Sequence, residues 1–318
     1  MSNTPRVLLW TDNTAPYLAA IDRAGLAGRV TVETLARTAQ PSEEQCASVD
    51  AMMVVAAPPG LLPRMPKLRW AQAMTAGVEG WLALPDLPDN LTLTCARGTH
   101  RESMPENILG ALFHITKPYA AVEGDQKDAR WGRRVAQPLN GKTLGILGLG
   151  AVGQDVARLA GALGMRVLGT RRSGAALPGI KVLPPERTDA VLAQSDFVLA
   201  LLPATPATEN FINAARLAKM KPGAWLLNFG RGQSIADADL IAAVQSKQIA
   251  GAILDVFRQE PLPPTHPFWA TEGILVLPHI GGPHPDRDTI VAKLFTENLG
   301  RFVDGKPLRE VVDRVAGY

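Results

Sequence analysis

Short apolar runs recur along the whole 318-residue chain, spaced as strands that alternate with helices. In the N-terminal third the runs at 6–10, 30–33, 51–55, 68–73 and 91–95 read as strands, with helical or turn-rich stretches between them. Proline-dense connections, Pro58-Pro59-Gly60 and the stretch from Pro85 to Pro88, must be loops, because the ring fixes φ and removes an amide donor. A longer helical pattern begins near Pro105. Ser103 is its candidate cap, Glu106 and Asn107 open it, and Ile108, Leu109, Leu112, Phe113 and Thr116 share one side before Pro118 ends it. From Thr143 the beat is regular, with strand candidates at 143–147, 166–170, 197–201, 224–228, 251–255 and 274–277. Several of these are apolar at nearly every position, as parallel strands covered on both faces must be. The rhythm predicts an α/β fold whose larger part is a doubly wound parallel sheet, preceded by a smaller α/β unit. A final amphipathic stretch, 286–303, has the length of a helix returning to the first unit.

The turn after the first strand of the regular part reads Gly148-Leu149-Gly150-Ala151-Val152-Gly153, a G-x-G-x-x-G between a strand and a helical pattern. In that context the first glycine permits the tight turn, the second lets a diphosphate approach the backbone and the third lets helix pack on strand. The amides of the helix N-terminus then face the phosphate charge. A glycine triplet alone could be a simple turn, but between strand and helix it reads as the phosphate loop of a Rossmann dinucleotide site. At the end of the next strand a carboxylate would hold a ribose 2′-hydroxyl, but the sequence is Thr170-Arg171-Arg172-Ser173. Two guanidiniums there suit a 2′-phosphate, so NADP(H) is expected in preference to NAD(H); the competing reading of the pair is a solvated basic turn.

Three polar residues follow the last three strands, at the C-terminal edge where open α/β sheets assemble their sites. They are Arg231 in Asn228-Phe229-Gly230-Arg231-Gly232, Glu260 before Pro261, and His279 in Leu277-Pro278-His279-Ile280-Gly281-Gly282. A hydride delivered to a ketone carbon leaves an alkoxide that needs a proton, and histidine is suited to supply one near neutrality. His279 is therefore the expected donor, Glu260 the carboxylate that orients it, and Arg231 the planar fork that holds a substrate carboxylate and keto oxygen. Singly, each has an ordinary reading as a loop histidine, a surface charge or an ion-pair partner; their placement after successive strands of one sheet favours chemistry. His100, His114, His266 and His284 lack that placement.

Bulk properties narrow the partners. A net charge of +3 with charges of both signs interspersed offers no basic face for nucleic acid. No apolar run reaches membrane-spanning length, and the start lacks a signal-like pattern, so a cytoplasmic protein is expected. Cys46 and Cys95 stand far apart without clustered histidines, which suggests neither a disulfide framework nor a metal site. Two other dehydrogenase designs fail on inventory: no tyrosine is followed by lysine four residues later, and two cysteines are too few for a zinc alcohol dehydrogenase.

The segments 141–150, 202–208 and those around Arg231, Glu260 and His279 resemble the D-isomer specific 2-hydroxyacid dehydrogenases, within them the glyoxylate/hydroxypyruvate reductase A type. The resemblance spans nearly the whole chain. It implies a flavodoxin-like substrate domain made from residues 1–99 and 281–318, into which a dinucleotide-binding domain, residues 100–280, is inserted. It also implies a homodimer, coenzyme contacts from Pro203, Thr208 and Asp255, and a substrate carboxylate held by Ala76, Gly77 and Val78. The expected reaction is reduction of glyoxylate, hydroxypyruvate or a larger 2-keto acid. The alternatives are the same fold with formate or phosphonate as hydride donor, or a nucleotide-sensing binding protein. One departure stands out: Ala56-Ala57-Pro58-Pro59 lies where close relatives carry bulkier aromatic residues, which suggests room for a substrate tail longer than glyoxylate's.

Overall fold

A computed structural model describes residues 4–317, which divide into two compact units. One runs to Thr99 and resumes at His284; the other is His100–Pro283.

The first unit is built on five parallel strands, β1 (Arg6–Trp10), β2 (Thr31–Leu35), β3 (Ala51–Val54), β4 (Trp70–Ala73) and β5 (Thr92–Thr94), in the order β2-β1-β3-β4-β5. Its helices are α1 (Ala15–Arg23), α2 (Glu43–Ser48), α3 (Glu79–Leu82) and, after the second unit, α10 (Arg287–Val303). Successive residues of each strand serve opposite faces. Val7, Leu9, Met53 and Trp70 pack with Tyr17 of α1 and with Val291, Phe295 and Leu299 of α10. Leu8, Trp10, Met52 and Ala71 pack on the other face with Cys46 and Trp81. Both cysteines are buried free thiols. Stacking of Trp70 on Phe295, with ring centroids 5.3 Å apart, anchors the returning helix.

The second unit holds α4 (Ser103–Thr116) and α5 (Tyr119–Lys127), then β6 (Thr143–Leu147), α6 (Ala151–Ala162), β7 (Arg166–Thr170), β8 (Lys181–Leu183), α7 (Thr188–Leu192), β9 (Phe197–Ala200), α8 (Ala214–Leu217), β10 (Trp225–Asn228), α9 (Asp237–Gln245), β11 (Gly251–Leu254) and β12 (Ile274–Val276). The parallel sheet order is β12-β11-β10-β9-β6-β7-β8. The chain runs outward from β6 to β8 and returns on the other side of β6 at β9. That reversal is the topological switch point, where the loops after β6 and β9 part and leave a crevice. Here too the strands are apolar on both faces: Leu144, Ile146, Leu199 and Ile253 meet one helical layer, and Leu147, Val198, Leu226 and Leu254 meet the other.

The structure departs from the sequence reading at three places. Ser103 does not cap α4; Glu102 occupies the cap position without a side-chain bond, and the Ser103 hydroxyl instead accepts from Asn107 Nδ2 at 3.3 Å. Residues 119–127 form a further helix after Pro118, and 181–183 add the edge strand β8, neither of which was expected. Both are half-exposed or exposed along most of their length, so they lack the continuous apolar run that marks the inner strands.

Candidate active site

The glycine loop is shaped by two contacts and one open space. Gly148 has φ +103°, and a Cβ there would lie 2.7 Å from the Leu201 carbonyl oxygen. A Cβ on Gly153 would lie 2.6 Å from the Gly148 carbonyl oxygen, so the first turn of α6 presses on the strand end. Gly150 differs: a Cβ there would meet no atom within 4 Å. Nothing in the protein requires glycine at that point. Gly150 is also the N-cap of α6 and offers no side-chain bond to the helix's leading amides, which include those of Ala151 and Val152. An open cradle beside uncapped amides fits the diphosphate of a dinucleotide.

Next along that edge, β7 ends in Thr170, and Arg171 and Arg172 follow as a half-buried and an exposed residue. The Arg171 amide donates to the Leu183 carbonyl of β8 at 3.1 Å, which ties the basic turn to the edge strand. Across the switch point, the loop after β9 is closed on itself by Thr208. Its hydroxyl donates to the Pro203 carbonyl at 2.6 Å and accepts from the Thr205 amide at 2.9 Å.

β10, β11 and β12 are neighbours, with Asn228 in register with Leu254 and Leu254 with Val276. The segments carrying Arg231, Glu260 and His279 therefore leave the sheet side by side. Asn228 is fully buried and shapes the first: its Oδ1 accepts the Gly230 amide at 3.1 Å and its Nδ2 donates to the Arg231 carbonyl at 3.0 Å. The Ser234 hydroxyl donates to the same carbonyl at 2.7 Å. The glycines flanking Arg231 are dictated by packing, since a Cβ on Gly230 would lie 2.7 Å from the Leu202 backbone and one on Gly232 2.0 Å from that of Phe257. The guanidinium, half-buried, donates from Nη1 to the Gly230 carbonyl at 2.8 Å.

Asp255 sets the third segment. Its buried carboxylate accepts the Ile280 amide at 2.7 Å and the Gly281 amide at 2.9 Å. Burial pushes this carboxyl above the ordinary aspartate range, and the two amides pull partly against that. Between Asp255's two bonded amides and Leu277, His279 adopts φ +54°, a left-handed conformation that costs a non-glycine residue free energy. It is held there by its own amide, which donates to Leu277 at 2.9 Å. The ring then meets Glu260: Nδ1 and Oε2 lie 2.6 Å apart. The other oxygen of Glu260 accepts the Phe257 amide at 2.9 Å. The carboxylate is thus fixed at both oxygens and the imidazole at one nitrogen, which leaves Nε2 as the ring's second proton site. The side chains are 48% and 34% exposed, open enough for a ligand to reach.

Of the other histidines, His100 Nδ1 lies 3.0 Å from the Gly282 carbonyl, and His266 accepts the Phe268 amide at 3.3 Å. Residues 76–78 belong to the first unit, at the C-terminal end of β4, where the Thr75 hydroxyl donates to the Gly77 carbonyl at 2.7 Å. Sequence reasoning missed Asn228 and the Phe257 amide, whose roles show only in the fold. It also missed Arg287, whose guanidinium donates to the Met74 carbonyl just before this loop.

Comparison with known proteins agrees with this architecture. Residues 109–281 match the model of the D-isomer specific 2-hydroxyacid dehydrogenase NAD binding domain. Glyoxylate/hydroxypyruvate reductase A of Serratia proteamaculans is 31% identical over 305 residues, 93% of this chain and 95% of that one. The crystal structure of an NADPH-dependent glyoxylate/hydroxypyruvate reductase from Sinorhizobium meliloti, in complex with NADP and sulfate, superposes with TM-score 0.86 at 31% identity, covering 99% of this chain and all (100%) of the other. A D-isomer specific 2-hydroxyacid dehydrogenase from Xanthobacter autotrophicus, in complex with NADPH and MES, gives 0.87 at 30% identity, covering 99% and 100%. The chain belongs to the D-isomer specific 2-hydroxyacid dehydrogenase family, and it is an oxidoreductase whose second unit contains the family's NAD-binding domain.

Proposed function

We propose that the protein reduces a small 2-keto acid (glyoxylate, hydroxypyruvate or a larger analogue) to the D-2-hydroxy acid, with NADPH preferred over NADH. The observation that carries this reading is the 2.6 Å pair of His279 Nδ1 and Glu260 Oε2, on strand ends next to Arg231 and on the same sheet as the glycine loop. Gly148, Gly150, Ala151, Val152 and Gly153 would hold the diphosphate, Arg171 and Arg172 the 2′-phosphate, and Pro203, Thr208 and Asp255 the remainder of the dinucleotide. Bound NADPH supplies the hydride.

The chain's own residues do the rest. Arg231 binds the substrate carboxylate and keto oxygen in one planar fork, which fixes the carbonyl and stabilises charge developing on its oxygen. His279 delivers the proton from Nε2 to that oxygen as it becomes an alkoxide. Glu260 accepts from Nδ1, so the ring is held in one orientation with its donor nitrogen outward. Ala76, Gly77 and Val78 offer backbone amides to the substrate carboxylate. Residues 1–99 and 281–318 act as the substrate domain and 100–280 as the coenzyme domain.

The S. meliloti relative's complex with NADP supports the coenzyme preference, as does the absence of a carboxylate from the turn after β7. No helix among the described residues is long and apolar enough to cross a membrane, in keeping with a cytoplasmic enzyme. A homodimer is supported by the apolar groups that α5 and the following segment leave in solvent: Tyr119, Val122, Trp131 at 93% exposure and Val135 at 92%. The reading is tested by steady-state oxidation of NADPH and NADH with glyoxylate, hydroxypyruvate, pyruvate and phenylpyruvate, with chiral analysis of the product from pyruvate. Turnover with NADPH favoured and D-lactate formed is expected; no turnover, or the L-product, overturns it.

A further inference from the structure

The five-stranded unit carries a cavity of about 300 Å³ at the C-terminal edge of its sheet, lined by Trp10, Arg37, Gln40 and residues 54–58. Its roof is made by the chain beyond β2. The Trp10 indole donates to the Ala36 carbonyl at 3.0 Å, and the Arg37 amide donates to Asp12 Oδ1 at 2.9 Å, so Arg37 is drawn over the end of β1. Its floor is β3 and the residues after it, where Ala56 and Ala57 fill little space. The walls are apolar, and the guanidinium of Arg37 and the amide of Gln40 are the hydrogen-bonding side chains besides the engaged indole. Among the described residues the Arg37 side chain has no hydrogen-bond or ion-pair partner.

This cavity adjoins the loop read as the substrate carboxylate site. β3 and β4 pair with Val54 in register with Ala73, and the Met74 amide donates to the Val54 carbonyl at 3.0 Å. The Trp81 indole of α3 donates to the Val55 carbonyl at 2.8 Å, and a Cβ on Gly80 would stand 3.8 Å from that of Ala56. The helix that follows residues 76–78 thus packs directly against the segment forming the cavity floor.

We propose that the cavity is a distal substrate subsite, which selects a 2-keto acid whose carbon chain lies on Trp10, Ala56 and Ala57 and ends in a second carboxylate bound by Arg37. The inference rests on the reading that residues 76–78 hold the first carboxylate. Glyoxylate has no chain to fill this space. A neutral alkyl tail fills the walls and gains roughly fourfold per buried methylene, but leaves the guanidinium to water. A dicarboxylic 2-keto acid satisfies both, because guanidinium and carboxylate match as a two-bond fork.

The test is kcat/KM of the full chain with NADPH for glyoxylate, 2-oxohexanoate and 2-oxoadipate, the last two having equal chain length and differing in the terminal carboxylate. We expect 2-oxoadipate to exceed 2-oxohexanoate by at least about tenfold, the value of one charge-assisted bond. Arg37→Ala should bring that ratio close to one and Arg37→Lys should retain part of it. Ala56→Trp, which fills the cavity, should cut both six-carbon acids relative to glyoxylate. Equal kcat/KM for the two six-carbon acids, or a ratio unmoved by Arg37→Ala, overturns the distal subsite and leaves keto-acid reduction standing if glyoxylate is turned over. Failure to turn over any of the three removes the underlying reading and this inference with it.

Discussion

A methyl group added at Gly150 meets no protein atom within 4 Å, whereas one added at Gly153 sits 2.6 Å from the Gly148 carbonyl oxygen. The two alanine variants should therefore fail differently. Gly150 has φ −79° and ψ −159°, which alanine adopts freely. Restricting the unfolded chain favours Gly150→Ala by about 0.4–1 kcal/mol, and loss of glycine at a helix N-cap costs up to about 1 kcal/mol. These nearly cancel, and Tm should move by no more than about 4 °C. The same methyl occupies the space a diphosphate must enter to reach the amides of α6. Loss of one hydrogen bond to a charged group, about 1.5–3 kcal/mol, should weaken NADPH binding on the order of 10- to 150-fold. Gly153→Ala should instead lose about 1–3 kcal/mol of stability, because backbone must shift to admit it. Urea unfolding gives stability and titration of intrinsic fluorescence gives NADPH affinity. Gly150→Ala binding NADPH as tightly as the parent would refute the assignment of that open space to a phosphate.

Three further outcomes are expected. Glu260→Gln keeps an acceptor for the Phe257 amide but removes the charge beside His279, and because both side chains are partly exposed kcat should fall about 10- to 100-fold; a loss under about threefold in steady-state assays would contradict the role given to Glu260. Arg171→Asp combined with Arg172→Ala should reduce the ratio of NADPH to NADH kcat/KM by at least about tenfold, and equal use of both coenzymes by the parent would remove the basis for that expectation. At Asp196 burial opposes ionisation, but the Thr143 amide at 2.7 Å and the Lys221 ammonium at 2.9 Å prevail and hold the carboxyl below its ordinary value. A depressed pKa adds stability that is present above the unfolded value and is lost as pH falls through the folded one. Asp196→Asn should therefore unfold more easily in urea at neutral pH and lose less on acidification below about pH 4.

The inner strands were legible because they are apolar on both faces: the expected runs at 6–10, 143–147 and 166–170 coincide with β1, β6 and β7, and the others differ at their ends by a residue or two. β8 and α5 were not legible, since an edge strand reading Lys-Val-Leu and a helix with most of its surface in solvent carry too little apolar periodicity. Among the site residues, Glu260 and His279 were visible as polar groups after successive strands, but that their side chains meet depends on Asp255 gripping the amides of Ile280 and Gly281 and forcing His279 to a positive φ. No spacing rule encodes that grip. The glycines at 230 and 232 were in view beside Arg231, yet their reason, close passage of the Leu202 and Phe257 backbones, is purely tertiary. The space above Ala56 and Ala57 was suggested by small side chains, while the arrival of Arg37 over it required the Trp10–Ala36 bond.

In the proposed reaction His279, held at Nδ1 by Glu260, protonates the oxygen of a 2-keto acid as NADPH reduces it. Single-turnover NADPH oxidation with hydroxypyruvate isolates that proton transfer, comparing the parent with His279→Ala after each is shown to bind NADPH equally. His279→Ala should lose about 100- to 10,000-fold in rate with coenzyme affinity preserved. Parent-like turnover by His279→Ala would contradict it.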